Sequence, residues 1–373
     1  MTEEQKDLLY KIAVSMTPGV SADIVRAMEA RDVSAEEFIC LESVDLSARL
    51  GLARGVTFQM VHREAALIRA RQEMDYCGRH SIRPLFLSDP DYPYLLAEAP
   101  DAPVLIYVLG DGPLDSPHSV GVVGTRRCTP YGANFVHKFV EELGGLFRDL
   151  CVVSGLAAGI DSMAHQAALD AGVATVAVVA HGLHTIYPAA NTELARNIVK
   201  SGGAIVTEYP SGTASFRNHF LARNRIIAGL SHISVVAESE IKGGAMNTAN
   251  HANSYNREVG ALPGRNSDRA SSGCNHLIRT HRASLVENAN DIVDLMGWEI
   301  CTHVKAVQRN LFPELDGDSK LIYDCMRMEQ DPISVDALHY KTLLPVRRLM
   351  ELLPELEFDG VVTRCPGNKY TLV

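Results

Sequence analysis

Residues Val120 to Gly132 read VGVVGTRRCTPYG. The apolar first half, broken by Gly121 and Gly124, predicts a buried strand that ends in a glycine turn. The stretch NFVHKFVEELGGLF that follows predicts a helix. A strand, a glycine turn and a helix start in that order suit a phosphate, because the first N–H groups of a helix have no intrahelical acceptor. The spacing is neither the G-x-G-x-x-G of a dinucleotide site nor a Walker G-x-x-x-x-G-K-[ST], which occurs nowhere in the chain.

The same pattern repeats on either side. CVVSG, VATVAVVA, GAIVTEYP and ISVVAE are further apolar or β-branched runs ending in glycine or a polar turn, and EVGALPG and ASLVEN are shorter candidates. With helical stretches between them, they predict an α/β domain with a doubly wound, mainly parallel sheet. Ligands of such sheets gather beyond the carboxyl ends of the strands, where strand order reverses. Upstream, SIRPLFLSDPDYPYLLAEAPDAPVLIYVLGDG predicts a proline-rich connection and one or two edge strands. Residues 1–76 alternate apolar and charged positions at helical spacing, with a Pro18-Gly19 turn and Ser21 as a candidate N-cap. A small helical domain of the SAM or helix-hairpin-helix type is one reading, and a helical protein-contact module is another. Downstream, KLIYDCMRM, ISVDALHYKTL, LPVRRLMELLPELEFDG and VVTRCPGNKYTLV predict three helices and a hairpin, a winged-helix pattern. The expected domains are 1–80, 81–300 and 318–373, with a linker at 301–317.

Composition narrows the function. The 373 residues are 46% hydrophobic, which fits a globular chain with sizeable cores. The eight cysteines stand singly with no CxxC pair, so neither a disulfide framework nor a zinc site is expected. The N-terminus MTEEQKDLLYK is charged, and no apolar run is long enough for a membrane span. A cytoplasmic protein is expected. The net charge of −10 argues against bulk attraction to nucleic acid, yet Tyr209 to Ala237 contains no acid and holds Arg217, Arg223 and Arg225. That segment is a local basic site in an acidic molecule.

Several other turns resemble the first. VSGLAAGIDSMAH carries Ser154, Gly155 and Gly159 ahead of a helix on which Asp161 and His165 stand four apart, spaced for a buried hydrogen-bonded pair. AHGLHTIYPAAN carries Gly182, Tyr187 and Pro188, and KGGAMNTANHA carries Lys242, Gly243 and Gly244. A glycine at each turn would let a ligand approach the backbone N–H groups. Several phosphate cradles in one crevice suit a polyanion better than a single nucleotide.

VGTRRCTPYG, SGLAAGIDSMAH, GLHTIYPAAN, FRNHFLARNRIIAGLS, KGGAMNTANHA and VGALPG, in this order and spacing, resemble the DNA-processing protein A family (DprA, also called Smf). The likeness is close over Ile82 to Asp294, and the flanking segments are similar to the family's other domains. It implies an extended Rossmann-like domain that binds single-stranded DNA, protects strands entering during natural transformation and loads the RecA recombinase onto them. It also implies a homodimer, no catalysis and no cofactor. The contact residues it implies are Gly124, Thr125 and Arg126, then Ser154 and Gly155 in the second loop. In the arginine segment they are Arg217, Phe220, Arg223 and Asn224, and in the last loop Lys242, Gly243, Gly244 and Ala245. Arg225 precedes the apolar IIAGL and suits an internal brace.

The alternative is a nucleotide-processing enzyme of the nucleoside-monophosphate phosphoribohydrolase type. Its P-G-G-x-G-T-x-x-E loop corresponds here to Lys242 to Ala249, with no carboxylate following to act as general acid or base. Ser154 is not in a G-x-S-x-G elbow, and His181 and His184 lack nearby acidic or cysteine partners for a metal. Duplex binding by the winged helix is not expected, because Arg347 and Arg348 share their helix with Glu351, Glu355 and Glu357.

Overall fold

Each apolar run of the middle region forms a strand. The chain orders them as β1 Ile82–Phe86, β2 Leu105–Gly110, β3 His118–Gly124, β4 Leu150–Ser154, β5 Ala174–Val178, β6 Ala204–Thr207, β7 Ile233–Glu238, β8 Glu258–Ala261 and β9 Ser284–Leu285. They make one sheet in the spatial order β1-β2-β6-β5-β4-β3-β7-β8-β9. From β6 to β9 every pairing is parallel, while β2 joins β6 and β1 joins β2 antiparallel. The chain runs outward from β3 through β4, β5 and β6, then returns to lay β7, β8 and β9 on the other side. Strand order therefore reverses between β3 and β7.

The structure, a computed structural model, describes residues 1–51, 58–300, 317–328, 332–358, 361–365 and 369–372. Of the linker expected at 301–317, all but Gly317 lies outside the described residues. Two compact units emerge, Met1–Cys301 and Thr302–Val373.

Period-two alternation splits the strands of the first unit between two cores. Val120, Val122, Val152 and Val235 pack with the helix Pro130–Leu146 through Val136, Phe139 and Val140. Val123, Val153, Val178 and Val236 pack on the opposite face with Ile226 and Ile227 of the helix Arg217–Gly229. The helix Pro130–Leu146 opens as its sequence dictates, with Thr129 as N-cap accepting from Gly132 and Pro130 at the first position.

The N-terminal residues form the helices Glu3–Met16, Ala22–Ala30, Ala35–Cys40, Ser43–Arg49 and Met60–Arg79. Thr2 with Gln5, and Ser34 with Glu37, close capping boxes. Ser21 takes the N-cap position of Ala22–Ala30 without a side-chain cap bond, and Gly19 makes the preceding turn at φ +86°. Leu9, Ile12 and Phe38 join the same apolar cluster as Ile106, Val108 and Val206, so these helices share a core with the sheet. Polar ties cross the junction too: Lys11 reaches Asp89 at 2.7 Å, and Arg26 donates to the carbonyls of Ala97 and Ala99.

The second unit contains the helices Gly317–Arg327, Val335–Thr342 and Val346–Phe358 with β10 Ile333–Ser334, β11 Val362–Cys365 and β12 Lys369–Leu372. The strands are antiparallel in the order β10-β12-β11, and Ile322, Leu338, Leu349, Leu353 and Tyr370 form the core. This is a winged helix. Its first short strand, β10, was not foreseen, because two residues carry no periodicity. No described helix is long and apolar enough to cross a membrane.

Candidate nucleic-acid interface

Beyond the carboxyl ends of β3 and β7, where strand order reverses, a cleft of about 810 Å³ opens. Its walls come from the loop after β3, the loop after β7, the helix Arg217–Gly229 and the loop bearing Tyr187. Arg126, Arg217 and Lys242 line this one cleft and are exposed. None of the three forms an ion pair with a carboxylate among the described residues. The Arg126 guanidinium stands 5.0 Å from the centroid of the Phe220 ring, a cation–π contact. The Tyr187 ring lies 5.7 Å from the same ring and is 46% exposed, whereas Phe220 is half-buried. The aromatic surface that a ligand meets is therefore shared between Tyr187 and Phe220.

The loops are held by close backbone packing. The Thr125 N–H donates to the Glu238 carbonyl at 2.7 Å, and the Ile160 N–H donates to the Thr125 carbonyl at 3.1 Å. The Glu238 carboxylate accepts from the Thr129 N–H at 2.8 Å and from the Thr129 hydroxyl at 2.5 Å. Gly124 lines the cleft, and a Cβ on it would fall 2.5 Å from Ile160 Cγ1, so the missing side chain lets the two loops pack closely. On its Cβ side this glycine meets Ile160 rather than open space, while its backbone faces the cleft.

Ser154 and Gly155 depart further from expectation. Ser154 is fully buried, and its hydroxyl donates to the Val122 carbonyl at 2.6 Å. A Cβ on Gly155 would meet the Arg223 guanidinium at 1.8 Å. Neither residue lines the cleft; together they make room for Arg223, which forms part of its floor. Arg223 is 3% exposed and donates to the Val178 carbonyl at 2.6 Å. Burial lowers its pKa to about 10, with the Asp161 carboxylate opposing that fall, so it stays charged at neutral pH. Asp161 is itself pushed up by burial, against the pull of Arg223.

Asp161 and His165 do not pair as their spacing suggested. His165 Nδ1 donates to the Thr175 hydroxyl at 2.7 Å, and that hydroxyl donates to the Val152 carbonyl. Burial holds the His165 pKa down to about 3. Arg225 is the internal brace expected of it, tied to Glu208 and to the Asp101 carbonyl. Arg223 proves to be a second brace, which the string RNR could not distinguish from a surface cation.

The last loop is steadied by Asn224, whose Nδ2 donates to the Gly244 carbonyl at 3.2 Å. Gly243 packs on Ser239, whereas a Cβ on Gly244 would meet nothing within 4 Å. Gly244 thus leaves open the approach to the helix Ala245–Ser254, and Ala245 at its first position lines the cleft. Glu240 and Asp161 put two carboxylates on the cleft wall; Glu240 is engaged by Arg269 at 3.0 Å. No cluster of potential metal ligands occurs among the described residues.

Tyr187 belongs to one of the loops that the sequence points to, but it is not among the contact residues expected from it. Its position depends on His181, fully buried, which accepts from the Tyr187 N–H through Nε2 at 3.1 Å and donates through Nδ1 to the Gly182 carbonyl. Burial keeps the His181 pKa below its usual value, consistent with the neutral ring that these two bonds require.

A mainly parallel sheet with a crevice at its reversal point, faced by cations and by Tyr187 and Phe220, defines a Rossmann-like domain. The family described as DNA recombination-mediator protein A matches residues 83–297, and its winged-helix domain matches residues 311–368. The chain belongs to that family. Protein Smf of Synechocystis is 31% identical over 97% of this chain and 98% of its own length. The X-ray structure of DNA processing protein A from Streptococcus pneumoniae superposes with a TM-score of 0.63 at 32% identity, covering 78% of this chain and 98% of its own. A structure from Helicobacter pylori, described as revealing that protein's single-stranded DNA binding mode, superposes with a TM-score of 0.52 at 29% identity, covering 58% of this chain and 95% of its own.

Proposed function

We propose that this cleft binds single-stranded DNA, with Arg126, Arg217 and Lys242 on successive phosphates and Tyr187 and Phe220 against unstacked bases. The observation that carries this reading is the convergence of three exposed cations, none ion-paired with a described carboxylate, on one cleft with an aromatic wall. The cations suit a charged backbone, and π faces accept any base, so binding is sequence-tolerant. The single-stranded DNA mode described for the Helicobacter protein supports the same assignment. Membership of the family extends the proposal to a role in transformation and recombination: the bound strand is protected and passed to RecA, and the protein acts as a homodimer without catalysis.

Fluorescence anisotropy with labelled single- and double-stranded oligonucleotides tests the binding. The full chain is expected to prefer the single strand. Arg217→Ala should weaken binding alike for all sequences and flatten the salt dependence by ~0.7 in log–log slope, the value for one lost single-strand phosphate contact. An unchanged slope and affinity for Arg217→Ala and Arg126→Ala together would remove the cleft from the binding path.

A further inference from the structure

Phe216 lies just outside the cleft, between Ser215 and Arg217, which both line it. It occupies the N-cap position of the helix Arg217–Gly229 and leaves its ring 60% exposed. A lone exposed phenylalanine calls for no explanation, but this ring is braced. It meets His219 edge-on, with centroids 5.3 Å apart at 89°, and His219 stacks on Tyr209 at 4.2 Å and 18°. The loop leading to Phe216 is pinned from two sides. The Gly182 N–H donates to the Thr213 carbonyl, and the Gly212 N–H donates to His184 Nδ1, both at 3.0 Å. At its base Ser211 is gripped by Glu73, 1% exposed, through its N–H at 2.8 Å and its hydroxyl at 2.5 Å, while Arg69 donates to its carbonyl at 2.6 Å. Glu73 and Arg69 belong to the helix Met60–Arg79, so the N-terminal helices help fix where the ring points.

A rigid, solvent-facing aromatic beside an arginine with no ion pair among the described residues combines the two features that hold a single strand: a stacking face and a phosphate partner. We propose that Phe216 is a second base platform, outside the cleft, which takes an unstacked nucleobase of the same strand where it passes Arg217. Tyr187 and Phe220 then serve the bases within the cleft, and Phe216 serves a base beyond them. This rests on the single-stranded DNA reading above and adds a subsite to it. The ring offers no hydrogen-bonding group, so this subsite accepts any base.

The test is anisotropy of the full chain with an oligothymidylate series of about 4 to 20 nucleotides, spanning the site sizes common for such grooves. Phe216→Ala should leave affinity for the shortest bound oligomers unchanged. For oligomers long enough to reach beyond Arg217 it should weaken binding by about 5- to 150-fold, the range of one base–aromatic stack. Phe216→Trp should restore the long-oligomer affinity, which a merely structural role of the residue would not require. Equal affinity of wild type and Phe216→Ala at every length would overturn the subsite and leave the cleft reading standing. A wild type that bound no oligomer of the series would overturn the cleft reading itself.

Discussion

The cleft and the winged helix both present arginines, and the two sets differ in their neighbours rather than in their charge. Arg126 and Arg217 face open space with no carboxylate partner among the described residues. On the winged helix, Arg348 reaches Asp318 at 3.0 Å and Glu351 at 3.2 Å, and Arg347 reaches Glu351 at 3.6 Å. A phosphate approaching Arg126 or Arg217 meets no carboxylate already ion-paired with them among the described residues. A phosphate approaching the winged helix must compete with acids already in place. Counting cations along the sequence misses this distinction, which decides which surface can gain from a polyanion.

Arg223 makes a third kind of arginine, and its removal should have the largest effect. It forms part of the cleft floor, with one N–H on the Val178 carbonyl and the buried Asp161 carboxylate nearby. Arg223→Met would strand that carboxylate and the Val178 carbonyl without their cation. Leaving the buried Val178 carbonyl unsatisfied costs about 1–3 kcal/mol, and Asp161 also loses the cation that opposes its desolvation. Chemical denaturation of the full chain should show that loss, whereas Arg126→Ala, at the exposed rim, should leave stability nearly unchanged. Equal stability of Arg223→Met and wild type would mean that Arg223 belongs with the rim cations after all.

What could be read beforehand follows the same division. The β-branched runs fixed nearly the whole sheet, because strands buried on both faces need continuous apolar sequence. The winged helix was legible from its three periodic segments and closing hairpin. Arg126, Arg217, Phe220 and Lys242 line one cleft, as their places in the loops after β3 and β7 and in the first turn of the helix Arg217–Gly229 suggest. Ser154 and Gly155 were misplaced because a glycine that admits a ligand and a glycine that admits a neighbouring side chain look identical in sequence. Only the Arg223 guanidinium in the space beside Gly155 separates the two. Tyr187 was named with its loop but not as a contact residue, because its orientation is set by His181, six residues earlier, through a backbone bond that no motif encodes.

Acid should sharpen the contrast between the buried layer and the rim. His165 lies in that layer as a neutral donor to Thr175, its pKa held at about 3 by burial and by the nearby charge of Arg223. In the unfolded chain it takes up a proton near 6.5. The folded value is the lower one, so the contribution is complete above pH ~6.5 and is lost as pH falls from there toward about 3. At pH 5 the loss from this residue is about 2 kcal/mol. Melting curves between pH 7.5 and 5 should therefore converge for wild type and His165→Gln, whose side chain takes up no proton. Parallel curves would show that His165 does not titrate on unfolding.

The smallest expected effect lies on the winged helix, and there the comparison can be inverted. If pairing rather than position keeps Arg347 and Arg348 from phosphates, removing their acids should free them. Asp318→Asn with Glu351→Gln leaves the backbone donors and the helix intact, and uncovers both guanidinium groups. Duplex affinity of the full chain should then rise, with a salt slope steeper by up to about 0.9 for each phosphate newly engaged. Single-strand affinity at the cleft should stay as it was. Arg347→Ala with Arg348→Ala, made in the otherwise unchanged chain, should alter neither duplex nor single-strand binding, because these groups are already neutralised by their own helix and its neighbour. A loss of duplex binding in that second variant would show the winged helix reading DNA despite its acids, and the contrast between the two surfaces would then rest on shape rather than on charge pairing.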